Sequence, residues 1–201
     1  VGRAKETWVC MAPLNTGRRG VMDGSIKPLR REWHMAGAAL TIASENPLDT
    51  LVGMVATQYV QPGDVIVIEA AGRMDGACWG ATMTWAAKES GAAGIVIDGA
   101  VLTTGVIINH EELPVFCRGS APFHAGQVGG GSINVPIVCG GIIVNPGDII
   151  LGDWDGVIVL PKDRAEEILD KTGQGRLAAY PPVGRSTPLG ERGFEEQLRA
   201  I

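Results

Sequence analysis

The chain has 201 residues, of which 45% are hydrophobic and 19% are charged, and its formal net charge at pH 7 is -5. This balance excludes disordered and fibrous proteins, and without any run of Lys or Arg it argues against a nucleic-acid partner. No apolar run approaches the ~20 residues that a membrane-spanning helix needs, and the first residues lack the apolar core of a signal peptide, so we expect a cytoplasmic protein without a membrane partner.

The length of the chain fits one domain followed by a tail. We expect residues 1–172 to form a single domain with a truncated N-terminus, because the sequence does not begin with Met. Residues 173–201 are rich in Gly and Pro and cannot bury much surface alone. We therefore expect this tail to pack on the domain or on a neighbouring subunit.

The first predicted elements are a strand and a helix. Residues 37–42 combine small and aliphatic side chains, which is typical of a buried strand that approaches its neighbours closely. Asn46-Pro47-Leu48 is predicted to open a helix and Gln61-Pro62 to end it. The apolar stripe predicted for this helix consists of Leu51, Val52, Met54, Val55 and Tyr59.

A turn of similar composition occurs twice in the chain. Gln-Pro-Gly-Asp at residues 61–64 precedes an aliphatic run at 65–68, and Asn-Pro-Gly-Asp at 145–148 precedes another at 149–151. In such a turn Pro presets φ, Gly accepts a positive φ, and Asp can accept hydrogen bonds from nearby amides. We therefore expect two similar units of turn and strand in one β framework.

The segment after residue 68 is the first candidate for chemistry. Residues 79–90 are good helix formers and Gly91 is a suitable C-cap, so Gly80, Ala81, Thr82 and Met83 are predicted to lie near a helix N-terminus. Free amides there, together with the helix dipole, can bind a carboxylate or a phosphate. The same pattern also fits a tight loop that only lets the helix pack, and the residues alone leave both interpretations open.

A strand-helix-strand unit follows, because residues 93–97 form a continuous apolar run, and such a unit implies a parallel pair of strands. Asp98-Gly99 is predicted to turn the chain. Since ligands bind at the carboxyl ends of parallel strands, residues 98–104 are predicted to face the Gly80 segment. Further predictions are strands at 113–117, 133–138, 142–144, 149–151 and 157–160, a loop at 118–122 and a helix at 164–171.

Residues that commonly bind metals are sparse. Cys10, Cys78, Cys117 and Cys139 are widely spaced and form no C-x-x-C pair, which favours buried reduced thiols over disulfides or a zinc site. The chain has three His, and His34 beside the first predicted strand is more typical of a surface residue than of a ligand.

Five motifs, in this order, resemble the RraA-like family, which includes the 4-hydroxy-4-methyl-2-oxoglutarate and 4-carboxy-4-hydroxy-2-oxoadipate aldolases. They are GRRGVMDGSIKPL, QPGDVIVIEAAG, AAGIVIDGAV, PVFCRGSAP and NVPIVCGGIIVNPGDIILGDWDGVIVLP. The run FHAGQVGGGSINVPIVCGG is closest to the aldolase branch. The resemblance covers about residues 16–170 and implies a compact α/β fold of the phosphohistidine-swivelling type with β/β/α layers, assembled as a homotrimer or a dimer of trimers.

The resemblance also implies a chemistry. Active members are lyases that use Mg²⁺ or Mn²⁺ to cleave a 2-oxo acid with release of pyruvate, and they decarboxylate oxaloacetate. In this family the amides of the Gly80 segment would bind the substrate carboxylate. The positions carried over as substrate-binding are Gly80, Ala81, Thr82, Met83, Leu102 and Thr103.

The sequence departs from the family pattern at three of these positions. Where active aldolases carry Arg and Asp, this chain has Leu102 and Thr103, and Ala81 stands where Asp or Glu is usual. A divalent cation needs anionic oxygen ligands, which these side chains do not supply. No catalytic residue or metal ligand is therefore assigned from the sequence.

Other polar residues are candidates for the missing groups. Glu69, Arg73 and Asp75 either form a relocated site or, as is more usual for an Arg between acids, a surface salt bridge. Arg118 is a further candidate, and a neighbouring subunit could lend Glu195 or Glu196.

Three functions remain open. The first is a divergent lyase acting on a 2-oxo acid such as 4-hydroxy-4-methyl-2-oxoglutarate or oxaloacetate. The second is a non-catalytic regulator that inhibits a ribonuclease by docking on it, as one branch of the family does, and the third is a sensor that binds a 2-oxo acid without turnover. A menaquinone methyltransferase is rejected, because no Gly-rich loop for S-adenosylmethionine precedes an acidic strand end.

Overall fold

The computed structural model describes residues 9, 12, 16, 19–110, 112–124 and 126–175. The helices are α1 (Leu51–Ala56), α2 (Ala81–Glu89), α3 (Thr104–His110) and α4 (Ala165–Gly175), and a 3-10 turn (Thr57–Tyr59) follows α1. The strands are β1 (Lys27–Pro28), β2 (Met35–Ser44), β3 (Asp64–Trp79), β4 (Gly94–Val101), β5 (Val115–Cys117), β6 (Gly119–Ser120), β7 (Gly131–Ile133), β8 (Ile137–Cys139), β9 (Ile142–Val144), β10 (Ile149–Asp153) and β11 (Gly156–Leu160).

Within the described residues one large sheet has the strand order β1-β5-β4-β3-β2-β10-β11, with β6 beside β4 and β7 beside β2. Strands β2, β3, β4 and β5 run parallel to one another, whereas β10 and β11 add to the edge of β2 in antiparallel fashion. The parallel pair predicted from the strand-helix-strand unit is therefore β3 and β4. Their carboxyl ends meet at the start of α2.

The sheet is buried on both faces, which explains why its central strands are continuous apolar runs. Alternate residues of β3 point to opposite sides: Ile66 and Ile68 lie in the cluster that includes Val52, Met83 and other helix residues. Val65 and Val67 instead lie in a cluster with residues of the two-stranded sheet β8-β9. The hairpin, the sheet and the helices are thus three layers, and the predicted α/β fold with β/β/α layers is confirmed.

Both predicted Pro-Gly-Asp turns are present and flank the same strand. Gly63 and Gly147 have φ values of +95° and +83°, as the turn requires. The Asp64 carboxylate accepts a bond from the Gln61 amide, and that of Asp148 accepts one from the Asn145 amide, both at 2.9 Å. The two turns lead into β3 and β10, which pair with β2 on its two sides.

Two predicted boundaries in the strands were wrong. Asp98-Gly99 does not turn the chain but continues β4 to Val101, because Asp98 has a cationic partner in the fold. Residues 133–138 are not one strand. Asn134 has a φ of +58°, and its amide bonds to the Thr41 carbonyl at 2.8 Å, so the chain leaves β7 and enters the separate hairpin at β8.

The helix predicted after Asn46 is shorter than expected and differently oriented. It begins at Leu51 rather than at 46–48, and its buried residues include Val52 and Ala56. Met54, Val55 and Tyr59, which the predicted stripe placed inside, are exposed. The buried face of α1 is that of Val52, Gly53 and Ala56, and Met54 and Val55 lie outside it. Tyr59 lies in the 3-10 turn after Ala56, where helical spacing no longer applies.

The remaining boundaries differ by a few residues. The predicted loop at 118–122 contains β6, and the helix predicted at 164–171 is α4, which continues to Gly175. Ala165, Ile168 and Leu169 on α4 are buried, as their spacing predicts. None of the helices in the described part of the chain has the length and apolar character needed to cross a bilayer.

The predicted state of the cysteines is confirmed where the structure describes them. Cys78, Cys117 and Cys139 are free and buried. Burial raises the pKa of Cys78 to about 12 and that of Cys117 to about 11, so these thiols are not nucleophiles at neutral pH. Cys10 lies outside the described residues.

Candidate functional site

The candidate site lies where β3 ends and α2 begins. Trp79, the last residue of β3, is fully buried, and its indole nitrogen donates to the Thr84 hydroxyl at 2.9 Å. The Thr84 hydroxyl donates in turn to the Gly80 carbonyl at 3.0 Å. These bonds fix the first turn of α2 on the sheet, with Gly80 as its N-cap.

The first turn of α2 presents backbone amides. The Thr84 amide bonds to the Gly80 carbonyl, so the amides of Ala81, Thr82 and Met83 precede the first bond within the helix. The Ala81 amide donates to the Thr103 hydroxyl at 2.9 Å. Within the described residues, the amides of Thr82 and Met83 therefore remain as donors at the positive end of the helix dipole.

Thr103 has an uncommon backbone conformation at this site. Its φ is +53°, a left-handed value that is unfavourable for a β-branched residue. Its hydroxyl accepts from the Ala81 amide and donates to the Leu102 carbonyl at 2.7 Å. The Thr103 side chain thus joins the end of β4 to the start of α2, which is the contact predicted between residues 98–104 and the Gly80 segment.

Leu102 covers the N-cap residue. A Cβ atom placed on Gly80 would lie 3.2 Å from the Leu102 Cγ and 3.2 Å from the Thr103 hydroxyl, so the absence of a side chain at Gly80 makes room for both. The φ of Gly80 is -156°, which any residue can adopt, so the need for Gly here is one of space. The Leu102 side chain packs on a cluster of three alanines: Ala77, Ala100 and Ala121.

The structure brings together all six positions carried over as substrate-binding, but in different ways. Thr82 is exposed, and Gly80 and Ala81 are half-buried. The side chain of Met83 is 5% exposed and packs in the core with Trp79, so it can offer only its amide. The site is therefore formed by backbone amides bordered by Leu102 and Thr103.

The residues at this site do not fit a divalent cation. Their side chains offer the hydroxyl groups of Thr82 and Thr103 and no carboxylate, and the Thr103 hydroxyl already has two partners. Mg²⁺ and Mn²⁺ require several oxygen ligands, usually with carboxylates among them. Across the described ranges, no three His, Cys, Asp or Glu residues lie close enough together to hold a metal ion.

Arg73 and Asp75 form the surface salt bridge that was one of the two sequence interpretations. Both lie on the irregular second half of β3, and the guanidinium bonds both carboxylate oxygens at 2.7 and 2.6 Å. The Arg73 side chain holds the pKa of Asp75 at about 2. Both side chains are about half exposed, which is the usual environment of a solvated pair rather than of a catalytic one.

Arg118 belongs to an ion-pair cluster that the sequence did not predict. Its guanidinium bonds the buried Asp98 carboxylate, the Ser25 hydroxyl at 2.6 Å and the Asp23 carboxylate at 3.2 Å. Asp98 also accepts from the Gly140 amide at 2.9 Å. Asp98 lies on β4 next to Ile97, which points to the helices, so the cluster is on the hairpin face, away from the amides of α2.

The neighbours of Asp23, which lies beside Arg118, stabilise the ionised form of its carboxyl group. The Ser25 amide and hydroxyl, followed by the Arg118 guanidinium, lower the pKa of Asp23 to about 2. Arg118 lies 93 residues after its partner Ser25, so local sequence patterns give no signal for this cluster.

Asp49 is a buried carboxylate with a structural role that the sequence analysis missed. It is 3% exposed and accepts bonds from the Leu51 amide at 2.7 Å and from the amides of Val128 and Gly129 at 2.6 and 3.1 Å. It thereby joins the start of α1 to the Gly-rich segment at residues 126–131. Its position before a helix was the available signal, since Asp commonly precedes a helix as a capping residue.

Comparisons of this chain with known proteins agree on one family. A sequence profile for the RraA-like family, described as Aldolase/RraA, matches residues 9–159. A protein of Halalkalibacterium halodurans, provisionally named 4-hydroxy-4-methyl-2-oxoglutarate aldolase, is 40% identical over 152 residues, which are 75% of this chain and 70% of the relative. A 4-hydroxy-4-methyl-2-oxoglutarate aldolase of Thermus thermophilus is 31% identical over 102 residues, which are 50% of this chain and 60% of that protein.

Solved structures agree with these relatives. The crystal structure of Streptomyces coelicolor RraAS2, described as an unusual member of the RNase ES inhibitor RraA protein family, superimposes with a TM-score of 0.77 at 25% identity. The superposition covers 100% of this chain and 96% of that chain.

Proposed function

The chain belongs to the RraA-like family, and from this premise we propose that it binds the carboxylate of a small 2-oxo acid at the start of α2, the binding step of the aldol cleavage for which its relatives are named. The observation that carries this proposal is the pair of amides of Thr82 and Met83, which precede the first hydrogen bond of α2 and lie at its N-terminus. Such amides bind carboxylates directly, and the helix dipole adds to the attraction. The position at the carboxyl ends of β3 and β4 is where ligands bind in parallel sheets.

The chemistry that follows binding is more demanding than binding itself. Aldol cleavage of a 4-hydroxy-2-oxo acid breaks the bond between C3 and C4. The electron pair moves onto the 2-oxo group to form the pyruvate enolate, and the 4-hydroxyl group loses its proton as it becomes a carbonyl. Both the developing oxyanion and the departing proton therefore need partners in the protein.

Leu102 and Thr103 supply neither of these partners in ionised form. Loss of a single oxyanion-stabilising group lowers kcat by roughly 10²–10³. We therefore propose that this chain retains the binding of 2-oxo acids and carries out the lyase reaction at a much lower rate than a chain with Arg and Asp at these two positions. Neither a decarboxylase activity nor a metal requirement is part of the proposal.

Binding and turnover are tested separately on the same preparation. Calorimetric titration with pyruvate and with oxalate, a mimic of the pyruvate enolate, is carried out in EDTA and then with Mg²⁺ or Mn²⁺. We expect binding in EDTA that the metals do not strengthen. If neither acid binds under any of these conditions, the proposal is wrong.

Turnover is followed by pyruvate release from 4-hydroxy-4-methyl-2-oxoglutarate. The double variant Leu102→Arg/Thr103→Asp restores the residue types of active aldolases, and we expect it to release pyruvate faster than the wild type by about 100-fold or more in Mg²⁺. Leu102→Met/Thr103→Ser is the matched control and should stay at the wild-type rate. Binding without turnover in all variants would identify a sensor of 2-oxo acids.

A ribonuclease-docking regulator is the second candidate. The observation in its favour is the similarity over the whole chain to a structure described as a member of the RNase ES inhibitor family. This candidate predicts a stable complex with an RNase E-type nuclease and slower RNA cleavage in its presence. A nuclease whose rate is unchanged at saturating amounts of this protein would eliminate it.

A further inference from the structure

We propose that a groove beside α1 is the docking site for residues 194–201 of a second copy of the chain. The groove has a volume of about 530 Å³ and lies between two walls. One wall is α1 with Tyr59 after it, and the other is the Gly-rich segment at residues 129–131 with Ile133. The groove shares no residue with the start of α2, so the inference does not depend on the proposed function.

Helix α1 is apolar on all sides. Its sequence is Leu-Val-Gly-Met-Val-Ala, without a polar side chain, and helices of this kind are normally covered all round. Within the described part of the chain, Val52 and Ala56 are buried, whereas Val55 is 38% exposed. Tyr59, at the end of the same wall, is 57% exposed. The groove side of α1 therefore lacks the cover that its composition predicts.

The opposite wall of the groove consists mainly of backbone. A Cβ atom on Gly129 would lie 3.2 Å from the Leu51 Cδ2, so the missing side chain keeps the space beside α1 open. Gly129 and Gly130 have φ values of +88° and +90°, which larger residues rarely adopt. A wall without side chains lets another segment approach closely.

Asp49 holds the two walls together. Its buried carboxylate accepts from the Leu51 amide at 2.7 Å on one wall and from the Gly129 amide at 3.1 Å on the other. Gly131 is fixed as well, because it pairs with Ser44 of β2. The groove is therefore formed before a segment docks in it, which reduces the entropic cost of docking.

Residues 194–201 have the pattern of a helix that docks in such a groove. They read Phe-Glu-Glu-Gln-Leu-Arg-Ala-Ile, with large apolar side chains at 194, 198 and 201. The spacing i, i+4, i+7 places these three on one helix face, which is how amphipathic helices bind apolar grooves. An eight-residue helix is about 12 Å long, and α1 with its 3-10 turn forms a wall of about 15 Å. Segment and groove therefore match in length and in apolar character.

The chain between α4 and this segment is long enough to reach a second copy. Residues 176–193 can span up to about 60 Å when extended, whereas a domain of this size has a radius of gyration of about 16 Å. Pro181, Pro182 and Pro188 favour an extended chain over one that folds back. We therefore expect the segment to dock on a second copy rather than on its own domain.

Cross-linking between two versions of the full chain tests the docking. One version carries Gln58→Cys beside Tyr59, and the other carries Gln197→Cys beside Leu198, so all apolar side chains stay in place. Both also carry Cys10→Ser. The two versions are produced together in one cell and treated with a short bismaleimide, and we expect a covalent dimer on a denaturing gel.

The matched control pairs Gln197→Cys with Asp163→Cys, which is equally exposed but lies outside the groove. We expect at least about tenfold less dimer from this pair, because docking raises the effective concentration of the two thiols only at the groove. Equal amounts of dimer from both pairs would overturn the proposal, and so would the absence of a dimer from the Gln58→Cys pair.

Substitutions in the groove show whether the cross-link depends on its apolar lining. Val55→Asp places a carboxylate among the docking contacts and should lower the yield of dimer by about tenfold or more. Val55→Thr keeps the shape and should retain most of the yield. Val138→Asp introduces the same charge at an exposed position on β8 and should leave the yield unchanged. An unchanged yield in Val55→Asp, with circular dichroism showing an intact fold, would overturn the proposal.

A single chain that carries both Gln58→Cys and Gln197→Cys identifies the copy that supplies the segment. We expect this chain to form covalent dimers and larger species. A cross-link within the chain without any dimer would show that the groove binds its own tail, and would overturn docking on a second copy.

Discussion

At the scale of single residues, Thr103 shows a conflict between local preference and position. A β-branched residue with a φ of +53° costs of order 1–3 kcal/mol, and such residues persist where the surroundings hold them. Here Thr103 is held by its hydroxyl group, which accepts a hydrogen bond from the Ala81 amide and donates one to the Leu102 carbonyl. The strained residue therefore lies at the proposed ligand site, where strain is most often found in proteins.

The contribution of the hydroxyl can be separated from that of the strain. Thr103→Val keeps the shape and the β-branch but loses the bond to the Ala81 amide, so we expect a loss of about 1 kcal/mol in the free energy of unfolding. Thr103→Ser keeps the hydroxyl and removes the branch, so its stability should equal or exceed that of the wild type. Urea denaturation measures both, and equal stability of the two variants would show that the bond contributes nothing.

Arg118 has a structural role at the same scale. Asp98 is 5% exposed, and removal of its cation leaves a buried charge unpaired. We expect Arg118→Met to lower the free energy of unfolding by roughly 3–5 kcal/mol.

Two variants serve as controls for Arg118→Met. One also neutralises Asp98, and the other breaks an exposed ion pair elsewhere. Arg118→Met/Asp98→Asn should recover part of the lost stability, because the neutral amide can still accept from the Gly140 amide. Arg73→Met, which breaks the exposed pair with Asp75, should change stability little. Guanidinium denaturation of the three variants tests this, and equal losses for Arg118→Met and Arg73→Met would contradict the assignment.

At the scale of elements, Asp49 joins α1 to the Gly-rich segment at residues 126–131. Burial favours its neutral form, but the bonds from the amides of Leu51, Val128 and Gly129 outweigh burial and lower its pKa. Because the folded pKa lies below the unfolded one, Asp49 contributes stability above its unfolded pKa of about 3.9. This contribution is lost as the pH falls through the folded pKa.

Substitution of Asp49 should therefore have an effect that depends on pH. Asp49→Asn replaces one acceptor oxygen by a donor that faces the Val128 and Gly129 amides, so we expect a loss of roughly 2 kcal/mol in unfolding free energy at pH 7. The difference from the wild type should shrink as the pH falls below the unfolded pKa. Asp163→Asn, at an exposed position, is the control. A difference that stays constant from pH 7 to pH 3 would contradict the assignment.

The elements that could be predicted from the sequence are those fixed by local contacts. The turns at 61–64 and 145–148 depend on their own Pro, Gly and Asp residues, and both formed as expected. Helix α2 lies within the predicted range 79–90 and places the Gly80 segment at its start, although Trp79 belongs to β3. The placement of the Gly80 segment beside Leu102 and Thr103 followed from parallel strands and is also observed.

The elements that could not be predicted depend on distant partners. Asp98-Gly99 has the composition of a turn but lies in β4, where Arg118, twenty residues away, pairs with the carboxylate. The break between β7 and β8 depends on Thr41, which lies 94 residues before Val135. The Thr41 carbonyl accepts from the Asn134 amide, and the Thr41 hydroxyl donates to the Val135 carbonyl. Conformational choices at such positions are made by tertiary contacts, which override local preference.

At the scale of the whole molecule, the layers leave apolar side chains on their outer surfaces. Val138 and Ile143 on the hairpin layer are 47% and 66% exposed, and Trp85 on the helix layer is 56% exposed. Contacts between subunits commonly bury such side chains. A homotrimer or a dimer of trimers, as the family resemblance implies, would provide such contacts between subunits. This assembly remains a prediction.

The tail offers a direct test of assembly. Residues 176–201 lie outside the described residues, and we expect them to pack on a neighbouring subunit, because their Gly- and Pro-rich first part cannot bury a core of its own. Deletion should begin after Gly175, since α4 continues to that residue and its buried face stabilises β10 and β11.

We expect the full chain to have a mass in solution of three or six times 21.1 kDa, and the shortened chain to have a smaller multiple. Light scattering measures both masses. The variant Phe194→Ser/Leu198→Ser, which replaces two large apolar side chains of the tail, makes the same comparison without shortening the chain. An unchanged mass in both variants, with circular dichroism showing intact folds, would mean that assembly does not depend on the tail.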